Sequence, residues 1–209
     1  MEWTKETPAP GLVVCQPARG YRYGIEVYAL ATFALAGLRA GGSSPPWSVI
    51  DLGSGSGVLG MLIAKRGAAV VAVERDELWI ERARQSCAES GVSVDVHHAD
   101  VRSWRGERVE MVVTNPPWFA ADAGPTSPNP LRSVARTCLH GGVAEFIQVG
   151  LSHSERVCVV SRTDVGHIPI GAWVARRARL SKNVVCFEVR PGSGITVDEP
   201  LGDVYAEFR

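Results

Sequence analysis

Alternating strand and helix signals through the middle of the chain predict an α/β fold built on a doubly wound, mostly parallel sheet. Three observations carry this. Short apolar runs alternate with helical patterns from residue 47 to residue 161, an order that requires right-handed crossovers between parallel strands. The first of those runs ends in a loop with glycine at 53, 55 and 57 that leads directly into a helix. The last two runs, 183–189 and 203–208, are joined by a stretch holding Pro191, Gly192, Gly194 and Pro200. That turn-like connection predicts an antiparallel hairpin at the end of the sheet.

The elements follow in order. Residues 12–23 read as irregular or hairpin-like. An apolar helix is expected over 26–39, stopped by Gly41-Gly42. Ser43-Ser44-Pro45-Pro46 is a short linker, which divides an N-terminal segment, 1–44, from a main domain, 45–209. Seven strands are expected at 47–51, 69–74, 92–97, 109–114, 157–161, 183–189 and 203–208. Helices are expected at 58–66, 76–90, 144–152 and, more weakly, 166–177. Asp76 is placed to cap the second of these, with Glu77 and Glu81 early in it. Residues 120–130, rich in Ala, Pro and Asn, read as a loop.

Composition sets the class. At 209 residues the chain is long enough for one core without disulfides or structural metal. Lys+Arg and Asp+Glu both number 22, so the net charge is zero, which argues against a generic polyanion binder. The distribution is uneven, with a basic excess over 131–190 and an acidic excess over 191–209. The five cysteines are widely spaced with no Cys-x-x-Cys pair, and the histidines show no metal spacing. No metal is expected. Met1 is followed by charged residues rather than an apolar core, and the most apolar run, 28–38, is too short to span a bilayer. A cytoplasmic location is expected, with no membrane partner.

The glycine loop carries the first chemistry. In Asp51-Leu52-Gly53-Ser54-Gly55-Ser56-Gly57 the glycines remove side chains where a ligand must touch backbone. Glu74, followed by Arg75, ends the next strand, where an acid can accept both hydrogen bonds of a ribose diol. The pattern indicates an adenosine-containing cofactor. A nicotinamide dinucleotide would have to bring its pyrophosphate close to Asp51, whereas an ammonium or sulfonium group suits that acid. This loop resembles the first motif of the class I S-adenosylmethionine-dependent methyltransferases, whose fold is Rossmann-like. The resemblance implies that Glu74 holds the ribose, and that Asp100 and Val101, past the third strand, lie beside the adenine.

Val113-Thr114-Asn115-Pro116-Pro117-Trp118-Phe119 is the most specific feature. Two prolines after an apolar strand cannot continue a ladder, because they lack N–H donors. They make a stiff turn at the carboxyl end of the strand, the edge where open α/β sheets bind ligands. Asn115 and the Pro116 carbonyl then offer two fixed acceptors for a planar amine, and an aromatic ring follows for stacking, worth about 1–3 kcal/mol per base. The motif resembles the Asn-Pro-Pro-(Tyr/Phe/Trp) signature of N-methyltransferases that act on adenine N6, guanine N2 or the glutamine side chain. Asn115, Pro116, Pro117 and Trp118 are the expected catalytic residues, and Trp118 and Phe119 are expected against the substrate.

Upstream, Gln16-Pro17-Ala18-Arg19-Gly20-Tyr21-Arg22-Tyr23-Gly24 and the helix after it resemble the start of the bacterial tRNA (adenine-N6)-methyltransferase family. In that family the helix covers the cofactor, and the resemblance implies a contact from Tyr23. It extends from about residue 16 to 162. Arg132 and Arg136 are candidates for RNA phosphate contacts, as are Arg176, Arg177, Arg179 and Lys182. The function so implied is S-adenosylmethionine-dependent methylation of an adenine N6 in tRNA. Protein glutamine or ribosomal guanine-N2 methylation, and a non-catalytic cofactor-binding subunit, are the alternatives.

Overall fold

The computed structural model describes residues 2–20, 22–118, 142–162 and 168–209. Phe119, the loop 120–130, Arg132 and Arg136 lie outside the described residues. Two short strands, β1 (Trp3–Glu6) and β2 (Val14–Pro17), pair antiparallel. The expected N-terminal hairpin therefore draws its first strand from before residue 12. Helix α1 (Ile25–Ala40) ends at Gly41, close to the predicted bounds.

The main sheet follows. Its first part comprises β3 (Ser48–Leu52), α2 (Val58–Ala64), β4 (Ala69–Glu74), α3 (Glu77–Ser90), β5 (Val94–His98) and β6 (Met111–Thr114). Then come α4 (Val143–His153), β7 (Val157–Arg162), β8 (Ala172–Ser181), β9 (Val184–Pro191) and β10 (Val197–Glu199). The strand order is β10-β8-β9-β7-β6-β3-β4-β5. All pairings are parallel except those of β9, which runs antiparallel between β7 and β8. The seven strands from β8 to β5 form the doubly wound sheet with its closing hairpin, and β10 adds an eighth strand to the edge.

Strand alternation loads the two faces separately. Along β6, Met111 and Val113 join the core under α1 and α2, while Val112 joins the core under α4. Asp76 caps α3 by accepting from Leu78 N at 3.0 Å, as expected.

Two predicted elements need correction. Residues 172–177 are not helical; they begin β8. Alanine and arginine favour helix by propensity, and the buried Ala175 and Ala178 stand three apart, which is a helical spacing. The spacing comes instead from an irregularity in the β8–β9 register between Val174 and Arg176, where Ala175 has no partner. The second correction is at the C-terminus. Residues 203–208 form no strand: Ala206–Phe208 is a short 3-10 turn that buries Phe208. The closing hairpin is β8–β9, not a pairing of 183–189 with 203–208.

Candidate active site

From β3 the chain winds outward through β4 to β5, then returns to place β6 on the other side of β3. In such a sheet a crevice opens beyond the strand ends at the point of reversal. One cleft occupies that position. It is lined from the ends of β3 (Asp51, Gly53), β4 (Glu74, Arg75), β5 (Asp100, Val101) and β6 (Asn115, Pro116, Pro117), and by Tyr23. The glycine loop and the Asn-Pro-Pro turn thus share one cavity.

The loop is held by its own backbone. Gly53 N and Ser54 N both donate to Val73 O, at 2.9 and 3.1 Å. Gly53 has φ +71, and a Cβ there would lie 2.9 Å from Phe146 Cε1, so glycine is required for conformation and for space. Gly57 does not line the cleft. It sits behind the loop with φ +78, where a Cβ would meet Ala83 Cβ at 3.1 Å. Its role is to let α2 approach α3. Ser54 and Gly55 face the cleft, and the buried Ser54 hydroxyl has no hydrogen-bond partner.

Three carboxylates are held differently. Asp51 is 1% exposed; its Oδ2 accepts from Gly60 N at 3.0 Å. Burial pushes its pKa up to about 7, against the pull of the Gly60 N–H and with the help of the nearby Glu74 charge. Glu74 ties the loop to β4: its Oε2 accepts from Gly55 N at 2.8 Å, and its Oε1 from Arg75 N and Asp76 N at 2.7 and 2.9 Å. Asp100 accepts from Arg102 Nε at 2.9 Å and Arg102 Nη2 at 2.5 Å. Those bonds hold its pKa at about 2.

At the β6 end, Thr114 Oγ1 donates to Leu52 O at 2.8 Å and fixes the strand end against β3. Asn115, Pro116 and Pro117 then turn into the cleft. Trp118 does not line it. Its ring is half-buried against the α1-side core, and its Nε1 donates to Val160 O at 3.1 Å. The ring expected to stack on a base braces the turn against β7 instead. On the other side, Tyr23 N donates to the buried Gln16 Oε1 at 3.3 Å, and burial raises the pKa of the Tyr23 hydroxyl.

The cleft also contains residues that sequence reasoning does not single out. Trp79 and Phe146 are apolar walls, and Asp76 adds a further carboxylate. Trp79 reads as a packing residue, and its ring does meet Trp3 edge-on at 5.5 Å. Nothing local in the sequence shows that its other side faces a cavity. Of the expected phosphate contacts, Arg176 is committed to Glu188 and Glu199, and Arg177 to Asp198. Arg179 and Lys182 are exposed.

The strand order and the cleft at its reversal define the class I S-adenosylmethionine-dependent methyltransferase fold. Residues 43–142 match the family model described as Methyltransferase small domain. Two curated relatives carry the name tRNA1(Val) (adenine(37)-N6)-methyltransferase. The one from Cronobacter sakazakii is 33% identical over 54% of this chain and 49% of its own length. The one from Klebsiella pneumoniae is 30% identical over 68% of this chain and 63% of its own. The chain thus spans less than two thirds of either. A solved structure, the T. thermophilus 16S rRNA N2 G1207 methyltransferase in complex with AdoMet and guanosine, superposes with TM-score 0.59 and 18% identity, covering 92% of this chain and 50% of that one. It shares the fold.

Proposed function

We propose that the protein is an S-adenosylmethionine-dependent methyltransferase acting on the exocyclic N6 of an adenine in tRNA. The observation that carries this is the meeting of Asn115-Pro116-Pro117 with Asp51, Glu74 and Asp100 around one cleft. The lining fits the cofactor. Four carboxylates, Asp51, Glu74, Asp76 and Asp100, face Arg75 as the one basic side chain among the lining residues. Such a cavity attracts a cation and repels a pyrophosphate, which favours a sulfonium over a nicotinamide dinucleotide. In this reading Glu74 holds the ribose, Asp100 and Val101 the adenine, and Asp51 and the Ser54 hydroxyl the cationic end. When bound, the sulfonium supplies an electrophilic methyl group.

The protein's own residues do the rest. An adenine amino nitrogen is a weak nucleophile because its lone pair is delocalised into the ring. The Asn115 side-chain oxygen and the Pro116 carbonyl accept its two N–H bonds and favour the pyramidal form. The rigid prolines fix both acceptors before the base arrives, so the advantage is proximity and electrostatics. As the N–C bond forms the C–S bond breaks, and the ammonium product loses its proton to water. A loop adenine is cheap to unstack, so a narrow cleft can receive it. Trp118 holds the turn in place from behind.

Mass spectrometry of nucleosides from tRNA incubated with protein and S-adenosylmethionine tests the reading. The expected product is N6-methyladenosine. A methyl group on guanine N2, or transfer to protein glutamine alone, would replace it. Cofactor binding with no transfer to any acceptor would leave a non-catalytic subunit. Asn115→Ala is expected to lower turnover at least 100-fold and to change S-adenosylhomocysteine affinity less than about threefold.

A further inference from the structure

Most basic side chains of this fold are engaged by its own groups. Arg22, Arg39, Arg66, Arg102, Arg108 and Arg209 pair with carboxylates. Arg156, Arg176 and Arg190 share the buried Glu188, Arg177 takes Asp198 and Lys5 takes Glu89. Lys65, Arg82, Arg84 and Arg105 bond to backbone or amide oxygens. Arg162 is engaged too. Among the described residues, Arg19, Arg75, Arg179 and Lys182 are in neither an ion pair nor a side-chain hydrogen bond.

These four are not scattered. Arg75 lines the cleft itself. Arg19 is exposed four residues before Tyr23, which lines the cleft. Arg179 and Lys182 lie at the end of β8 and in the turn to β9. Because β8 is parallel to β6 and β7, that turn is on the same edge of the sheet as Asn115. Three strand spacings separate β8 from β6, or roughly 15 Å at about 4.8 Å each. The interior is acidic, while cations outside any close ion pair lie along this edge of the sheet.

We propose that Arg19, Arg179 and Lys182 form a phosphate-gripping rim for single-stranded RNA beside a nucleotide whose base enters the cleft. The inference rests on the function proposed above. The charge pattern argues for it: carboxylates outnumber cations in the cleft lining, which favours entry of the base over entry of a phosphate. Contacts at that distance position the strand and read no sequence. They also supply salt-dependent affinity, with a slope of about −0.7 per phosphate contact on a single strand.

The test uses the triple variant Arg19→Gln/Arg179→Gln/Lys182→Gln and unmodified tRNA across a range of salt concentrations. A control variant, Lys5→Gln/Arg39→Gln/Arg209→Gln, removes the same charge from paired positions. The slope of log affinity against log salt is expected to fall in magnitude by about 2 in the triple variant and to change little in the control. S-adenosylhomocysteine binding should match the wild type in both. A wild type that methylates tRNA, with equal slopes in all three proteins, would overturn the rim and leave the function standing. A wild type that neither binds nor methylates tRNA would remove both.

Discussion

Burial lets the Asp51 carboxyl keep its proton well above the usual carboxylate range. Its pKa of about 7, against the usual 3.8, means that the folded chain binds a proton which the unfolded chain gives up. Folding therefore loses stability as pH rises from about 4 to about 7, by up to a few kcal/mol. Asp51→Asn keeps the shape and can still accept from Gly60 N. It is expected to raise the urea midpoint of the ligand-free protein above pH 7 and to weaken S-adenosylmethionine binding at least tenfold. Affinity for the neutral product S-adenosylhomocysteine should change less. At Gly53 the constraint is steric: φ +71 and a Cβ 2.9 Å from Phe146 make Gly53→Ala cost about 1–2 kcal/mol in conformation alone. Since Phe146 lines the cleft, calorimetry should show weaker cofactor binding. The acids and glycines of the loop are legible in sequence because their spacing is local. Trp79 and Phe146 are not, since a wall residue has the same apolar signature as a core residue.

At the scale of elements, β8 shows how an ion-pair network and a strand depend on each other. Glu188 of β9 has no exposed surface. Burial alone would raise its pKa, but Arg156, Arg176 and Arg190 outweigh that and hold it at about 2. Arg156 binds it with two bonds of 3.0 Å, and Arg176 Nη1 adds one of 2.8 Å. Arg176 also lies over the Phe33 ring of α1, 4.4 Å from its centroid. Gly37 leaves room, since a Cβ there would come within 2.2 Å of Arg176 Nη1. Because the folded pKa is depressed, this stabilisation is complete above about pH 4.5 and is lost as pH falls to about 2. Glu188→Gln takes the carboxylate from the mostly buried Arg156 and leaves Arg176 with Glu199 alone. It is expected to cost about 3–5 kcal/mol in denaturant titrations at neutral pH, and the penalty should shrink below pH 4.

Across the whole molecule the charge asymmetry of the sequence is largely cancelled by folding. The basic stretch 131–190 and the acidic stretch 191–209 meet where β10 lies against β8: Asp198 reaches Arg177 at 2.6 Å and Glu199 reaches Arg176 at 2.7 Å. Asp198→Asn would release Arg177 on the surface. Affinity for RNA of arbitrary sequence should rise, with a salt slope steeper by about 0.7, while turnover on the proposed tRNA substrate stays within a few-fold. Filter binding in parallel with methyl incorporation measures both.

What the sequence determined by itself is whatever depends on local order. Alternating strands and helices, the glycine loop and the proline-rigidified turn imply a doubly wound sheet with a cleft at its carboxyl edge, and these signals depend on neighbours a few residues apart. Tertiary structure alone decided the rest. It made a strand of the Ala- and Arg-rich 172–181, because pairing with β9 outweighs helix propensity. It withdrew Arg176 from the surface, paired Arg177 with Asp198 and turned Trp118 to the core. Charge and ring placement are settled by partners distant in the chain, and no local pattern carries that information.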